Sequence, residues 1–283
     1  MTEVALKAKE YKSEVKPVWC AGCGDYGELS AFTQALSNLH VEPEKIVIAS
    51  GIGCSGRFSH FVKCYAFHTA HGRALPAAIG VKAANPDLVV FAVGGDGDGL
   101  GIGGGHIPHA ARKNPDLTYV ISDNGIYGLT KGQSSPTTPI NRVTTTAPFG
   151  MVERPLDPVR MFLAYGITFV ARGFTYDVKG LTHILTKAIE HKGFSIVHLL
   201  APCVNYNVTT ADSLREVISP IPDDHDRGDI KKAFQLALDE TRIYTGIFYE
   251  KDDLTLHDDV KELRERSKTR KPKDIRGIFE RFV

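Results

Sequence analysis

No apolar run in this sequence approaches the ~18 residues needed to cross a bilayer, so no membrane span is expected. Surplus charge is also missing. Lysine and arginine total 34 against 33 acidic residues, a net charge of +1. No overall field therefore favours nucleic acid or an anionic membrane. The opening MTEVALKAKEYKSEVK lacks the apolar stretch of a secretory signal, and a cytoplasmic location is expected. Cysteines number only five, an odd count that argues against a disulfide framework. The GxxxxGKS/T pattern of a P-loop is absent, and GxGxxG can be read at Gly95, Gly97 and Gly99 only with the wrong spacing.

Glycine, by contrast, is concentrated. Eight of the 27 glycines fall in GGDGDGLGIGGG (94–105), where backbone amides can approach a ligand closely. Around it, apolar runs alternate with helical patterns. KIVIAS (45–50), DLVVFAVGG (87–95), DLTYVISDN (116–124), GITFVAR (166–172) and FSIVHLLAPC (194–203) read as strands. Helices are expected after the first cysteine pair (Leu29, Phe32, Leu36, Leu39) and over 71–84, 104–113 and 179–192. Pro76 and Pro108 must lie in first turns or at kinks.

This alternation predicts an α/β fold with a doubly wound parallel sheet, in which ligands sit beyond the carboxyl ends of strands. Residues 1–16 read as a surface arm. Residues 129–160, with five prolines and many threonines, read as a loop over a site or at a subunit contact. The division expected is an α/β domain over 1–210 and a C-terminal extension over 211–283. The extension would hold one amphipathic helix (228–246) and a charged tail (250–283), packing on the domain or a partner.

Asp96 stands at the carboxyl end of one predicted strand and Asn124, 28 residues on, at the end of the next. In a parallel βαβ unit those ends can be neighbours. A carboxylate and an amide oxygen there suit Mg²⁺, a hard cation that keeps phosphate oxygens in its shell. Opened by Gly95, the loop offers the amides of Gly97, Asp98 and Gly99 to a diphosphate, ahead of a helix. A plain tight turn would use the same glycines.

Gly-Asp-Gly followed by this Asn resembles the thiamine-diphosphate motif. The extension DNGIYGLTKGQSSPTTP closely resembles the β subunits of 2-oxoacid:ferredoxin oxidoreductases, over roughly residues 15–210. The resemblance implies Asp96, Asn124 and the carbonyl of Ile126 as magnesium ligands. It implies diphosphate contacts from Gly97, Asp98, Gly128, Leu129 and Thr130. The GIGCS segment resembles the strand that approaches the thiamine pyrimidine, so Cys54 and Ser55 are expected on the cofactor.

WCAGCG pairs Cys20 with Cys23, GIGCSGRF adds Cys54 and APC adds Cys203. The residues alone permit an iron–sulfur cluster, a structural zinc or packed thiols. The resemblance implies a [4Fe–4S] cluster on Cys20, Cys23, Cys54 and Cys203, with Cys64 a packed thiol.

His68, His71 and Arg73 cluster in FHTAHGRALPAA, without a third ligand at zinc-enzyme spacing. The resemblance sets this segment near the cofactor, so His71 is expected on the cofactor side. Arg57 and Lys131 are expected to meet the distal carboxylate of 2-oxoglutarate, since arginine pairs bidentately with carboxylates. Both could instead hold acidic partners at a subunit interface. The implied activity is reversible, coenzyme A-dependent oxidative decarboxylation of a 2-oxoacid, best 2-oxoglutarate, with electrons passed to ferredoxin. Pyruvate or a broad substrate range, a non-oxidative thiamine decarboxylase subunit and a zinc-stabilised scaffold are the alternatives. No acid that would activate the aminopyrimidine is recognisable. It is expected from a partner α subunit, in an αβ or α2β2 assembly.

Overall fold

The computed structural model describes residues 6–268 and 279–280. Its strands are β1 (Ile46–Ser50), β2 (Tyr65–His68), β3 (Val89–Gly95), β4 (Leu117–Asp123), β5 (Ile126–Tyr127), β6 (Gln133–Ser134), β7 (Phe169–Phe174), β8 (Phe194–Leu200), β9 (Ile218–Pro220) and β10 (Ile243–Glu250). Its helices are α1 (Asp25–Asn38), α2 (Ala74–Ala84), α3 (Ile107–Ala111), α4 (Pro158–Ala164), α5 (Val178–Glu190), α6 (Ala211–Val217), α7 (Ile230–Leu238) and α8 (Leu256–Lys268). Eight strands form one sheet in the order β2-β1-β3-β4-β8-β7-β10-β9. All pair in parallel except β10 with β7. The five long strands expected from sequence are all present, as is the doubly wound α/β class.

The central strands read as continuous apolar runs because both faces are covered. Alternate residues enter two cores. Ile46, Ile48, Phe91, Val93, Val120 and Val197 pack under α1 and α5. Val47, Ala49, Val90, Ala92, Tyr119 and Ile196 pack under α2, α3 and α4 on the other face. Pro76 lies in the first turn of α2 and Pro108 in that of α3, where a missing N–H costs nothing.

Two expectations are corrected. Residues 228–246 are not one helix: α7 ends at Leu238, and the chain turns and enters β10. Asp239 makes that turn by accepting hydrogen bonds from the Thr241 amide (2.8 Å) and hydroxyl (2.6 Å). The N-terminal segment is not a free arm beyond residue 7. Tyr11 is buried, donates from its hydroxyl to the Val41 carbonyl at 2.7 Å, and is followed by a Lys12–Val62 bridge. Within the charged tail α8 spans Leu256–Lys268, and residues 269–278 and 281–283 lie outside the described residues. No helix among the described residues is long and apolar enough to cross a membrane.

Candidate functional site

Strands β1, β3, β4 and β8 are neighbours and run the same way, so their carboxyl ends open onto one edge of the sheet. From β1 comes the Gly51–Ser55 loop, from β3 the Asp96 turn, from β4 the Asn124 loop and from β8 the Cys203 segment. A cleft lies between the first three. Cys54, Ser55, His71 and Gly95 line it, as do Asp96, Gly97 and Asp98. Asn124, Ile126, Gly128, Leu129 and Thr130 line it too. Twelve residues expected from sequence on the thiamine or magnesium thus meet in one place. Arg57 and Lys131 do not line the cleft. Arg57 sits on the turn Ser55–His60 just after Cys54, and Lys131 is exposed with φ 84°.

The turn Gly97–Ile102 is a wide helical turn that starts directly at the end of β3. First-turn amides have no intrahelical acceptor, so those of Asp98 and Gly99 can meet an anion, while that of Gly97 also reaches the Asp96 carboxylate. Tyr127 underpins this turn, donating from its hydroxyl to the Gly97 carbonyl at 2.9 Å. A Cβ on Gly97 would lie 2.3 Å from the Tyr127 ring, so only glycine fits there. Tyr127 was not singled out from sequence. Its neighbourhood, NGIYG, was.

The Asp98 side chain does something unexpected. The residue lines the cleft, but its carboxylate turns inward. Asp98 Oδ1 accepts from the amides of Ile52 and Gly72, both at 2.8 Å, and lies 3.1 Å from His71 Nδ1. Oδ2 is buried without a partner, in space left by Gly51 and Gly94. A Cβ on Gly51 would fall 1.9 Å from that oxygen. Asp98 therefore ties together the loop that carries Cys54, the loop that carries His71 and the glycine turn.

Asp96 is 2% exposed, and burial first, then the charge of Asp123, pushes its carboxyl up to about 7. Neutral donors from Ser135, Thr137 and Gly97 only partly offset this. A buried carboxylate with neutral partners beside an Asn amide is a donor set that suits a hard dication. Asn124 Oδ1 accepts from the Ile126 amide at 3.0 Å, which turns the chain so that Ile126 and Asn124 share the cleft.

The thiols gather next to this site. A Cβ on Gly128 would lie 3.9 Å from Cys203 Sγ and 4.0 Å from Cys54 Sγ. Burial raises Cys23, with further upward contributions from Asp25, Cys203 and Cys54. Burial also lifts Cys54 to about 11, with Asp25, Cys203 and Cys20 adding to it and Arg57 opposing. The four expected ligands thus feel one another's charge. Cys64 is pushed up to about 12 by burial alone and packs against the core. Among the described residues, no three His, Cys, Asp or Glu side chains are close enough to hold a single metal ion. Four cysteine thiols are a donor set that fits a cluster, which takes one thiolate per iron.

Residues 51–199 match the family described as thiamine pyrophosphate enzyme, C-terminal TPP binding domain. Residues 203–265 match the C-terminal family of the pyruvate ferredoxin oxidoreductase β subunit. The 2-oxoacid:ferredoxin oxidoreductase β subunit of Saccharolobus solfataricus is 51% identical over 191 residues, covering 67% of this chain and 63% of that one. The chain thus spans somewhat less than two thirds of that relative. The corresponding subunit from Sulfolobus sp is 41% identical, covering 83% of this chain and 82% of its own. The 2-oxoglutarate:ferredoxin oxidoreductase of Magnetococcus marinus, solved with 2-oxoglutarate, coenzyme A and succinyl-CoA bound, superposes with TM-score 0.93. It is 43% identical and covers 98% of this chain and 96% of that one. With the glycine turn, the Asn124 loop and the thiols at one sheet edge, this chain belongs to the β subunits of the 2-oxoacid:ferredoxin oxidoreductases.

Proposed function

We propose that the chain is the thiamine-diphosphate-binding half of an enzyme that oxidatively decarboxylates 2-oxoglutarate to succinyl-CoA, reversibly, with ferredoxin as electron acceptor. The observation that carries this reading is the single cleft where Asp96, Asn124 and the glycine turn meet Cys54. When bound, thiamine diphosphate supplies the nucleophilic carbon and the electron sink for decarboxylation, and a [4Fe–4S] cluster takes the electrons singly.

The chain's own residues hold and orient. Asp96, Asn124 and the Ile126 carbonyl would hold Mg²⁺. The amides of Gly97 and Asp98, with Gly128, Leu129 and Thr130, would take the diphosphate. Cys20, Cys23, Cys54 and Cys203 would hold the cluster. Cys54 and Ser55 line the cleft, so electrons would have a short path from the reacting centre to the sulfurs. His71 faces the cleft, with its Nδ1 edge directed to Asp98.

Arg57 and Lys131 are assigned to the distal carboxylate of the substrate; each lies within two residues of a cleft-lining one, Ser55 and Thr130. A partner α subunit would supply the acid that activates the aminopyrimidine. The cleft's own carboxylates, Asp96 and Asp98, are committed to the metal and to the loop clamp. The 2-oxoglutarate assignment also draws on the 2-oxoglutarate bound in the Magnetococcus enzyme.

The test is reduction of ferredoxin or viologen by the anaerobic complex with its α partner, given coenzyme A and a panel of 2-oxoacids. The highest kcat/KM is expected for 2-oxoglutarate. Arg57→Ala should lower that value about tenfold or more, since a charge-assisted pair contributes roughly 1.5–3 kcal/mol. Turnover of pyruvate should change little. A preference for pyruvate in the unaltered complex would end the 2-oxoglutarate assignment and leave the thiamine site standing.

A further inference from the structure

A chain of buried polar side chains lies behind Asp96, and the proposed chemistry gives it no role. It begins at Arg172 on β7, whose Nε donates to His198 Nδ1 on β8 at 3.1 Å. A guanidinium only donates, so Nδ1 carries no proton and the ring N–H is at Nε2. That nitrogen donates to Asp123 Oδ2 on β4 at 2.8 Å. The other oxygen of Asp123 accepts from the Gly125 amide at 2.9 Å and contacts the Thr137 hydroxyl at 2.7 Å. The same hydroxyl lies 2.9 Å from Asp96 Oδ2. The charge of Arg172 is met by Asp157 Oδ1 at 3.8 Å and by the Phe248 ring, 5.6 Å below the guanidinium.

We propose that Arg172, His198, Asp123 and Thr137 form a positioning relay that fixes the direction of the magnesium ligand Asp96, with Thr137 as its last member. The relay rests on the magnesium role given to Asp96 under the proposed function. A free carboxylate swings about its Cβ–Cγ bond, and a metal gains most from an oxygen already aimed at it. The single Thr137 proton, shared between Asp123 Oδ1 and Asp96 Oδ2, holds Oδ2 beside the loop, with Ser135 and the Gly97 amide as further donors to the same carboxylate. Outer partners of this kind typically change metal affinity by about 10–100-fold.

Thr137 belongs to the proline- and threonine-rich loop, and that loop is locked where it meets Asp96. The Thr138 hydroxyl donates to the Gly125 carbonyl at 2.7 Å and accepts from the Ser135 amide at 2.7 Å. The Leu156 amide donates to the Pro136 carbonyl at 2.9 Å, which closes the loop's far end. Strands β7, β8 and β4 thus reach Asp96 Oδ2 through a single loop hydroxyl.

The experiment uses the anaerobic complex with its α partner, stripped of divalent ions and supplied with thiamine diphosphate. Mn²⁺ stands in for Mg²⁺, and loss of the free-ion electron paramagnetic resonance signal reads binding. Thr137→Val keeps the shape and removes the hydroxyl. It should raise the half-saturating Mn²⁺ concentration at least about tenfold. Thr137→Ser restores the hydroxyl and should stay within about threefold of the parent. Should Thr137→Val fail to assemble, Thr137→Ala makes the same cut with less bulk and should show the same shift. Parent-like binding by Thr137→Val overturns the relay, and so does a Thr137→Ser variant as weak as Thr137→Val. Asp96→Asn tells failure of the relay from failure of the metal site. If it binds Mn²⁺ as the parent does, the magnesium assignment itself is wrong and the relay falls with it.

Discussion

Glu28 is a carboxyl placed where a charge is costly. It is 1% exposed on α1, accepts from the Ser122 hydroxyl on β4 at 2.5 Å, and leaves its second oxygen without a partner. Burial, then the nearby charge of Asp25, pushes it up to about 8 from the ordinary value of 4.5. In the unfolded chain the proton leaves near the lower value, and in the folded chain it stays until the higher one. The native state therefore binds more protons between these limits, so stability is greatest below pH 4.5 and falls as pH rises to about 8. The slope for one such group is at most about 1.4 kcal/mol per pH unit. Glu28→Gln should flatten that fall and raise the thermal midpoint at pH 8 relative to the parent. An unchanged pH profile in a thermal-melt series would show that Glu28 is ionised in the fold. None of this was readable from residue types, because Glu28 lies on a helix whose exposed face also carries polar residues. Asp98 behaves alike. Its place in the glycine turn was legible, but its carboxylate bonds partners 46 and 26 residues away. Such contacts exist only once three loops have met.

At the level of elements, the strands with two apolar faces were legible and β10 was not. The residues of α7 follow a helical period, and no glycine or proline marks its end before Ile243. Strand β10 then fills both cores at once, with Ile247 3% and Phe248 0% exposed. Its pairing with β7 extends the sheet past Phe169 and Ala171. Phe248→Ala should cost about 3–5 kcal/mol, the usual range for a buried aromatic cut to alanine. It should also strip Arg172 of its ring contact. The denaturant midpoint measures the first effect, and a change within about 0.5 kcal/mol would mean β10 is peripheral to the fold. Thr137 was hidden for a similar reason. The loop over 129–160 could be placed near a site by composition, but which hydroxyl reaches Asp96 depends on how the loop closes through Pro136 and Leu156.

Across the whole molecule, the sheet order carries a consequence for the chain's synthesis. Strand β4 is buried along almost its whole length, between β3 and β8. Its partner on one side is made just before it, but β8 begins at Phe194, long after β4 ends at Asp123. Strand β7 is made first and cannot help, because it pairs on the far side of β8. At ~5–20 residues per second, a nascent chain spends roughly 4–14 s with the apolar edge of β4 bare. An open edge with two apolar faces templates pairing with other chains. A chain ended at residue 192 should therefore pellet from a translation extract, whereas the full chain should stay in the supernatant. Solubility of the short chain would show that some other segment shields β4 in the interval. On the ribosome, that edge must be shielded by a chaperone or by another segment of the chain until β8 arrives.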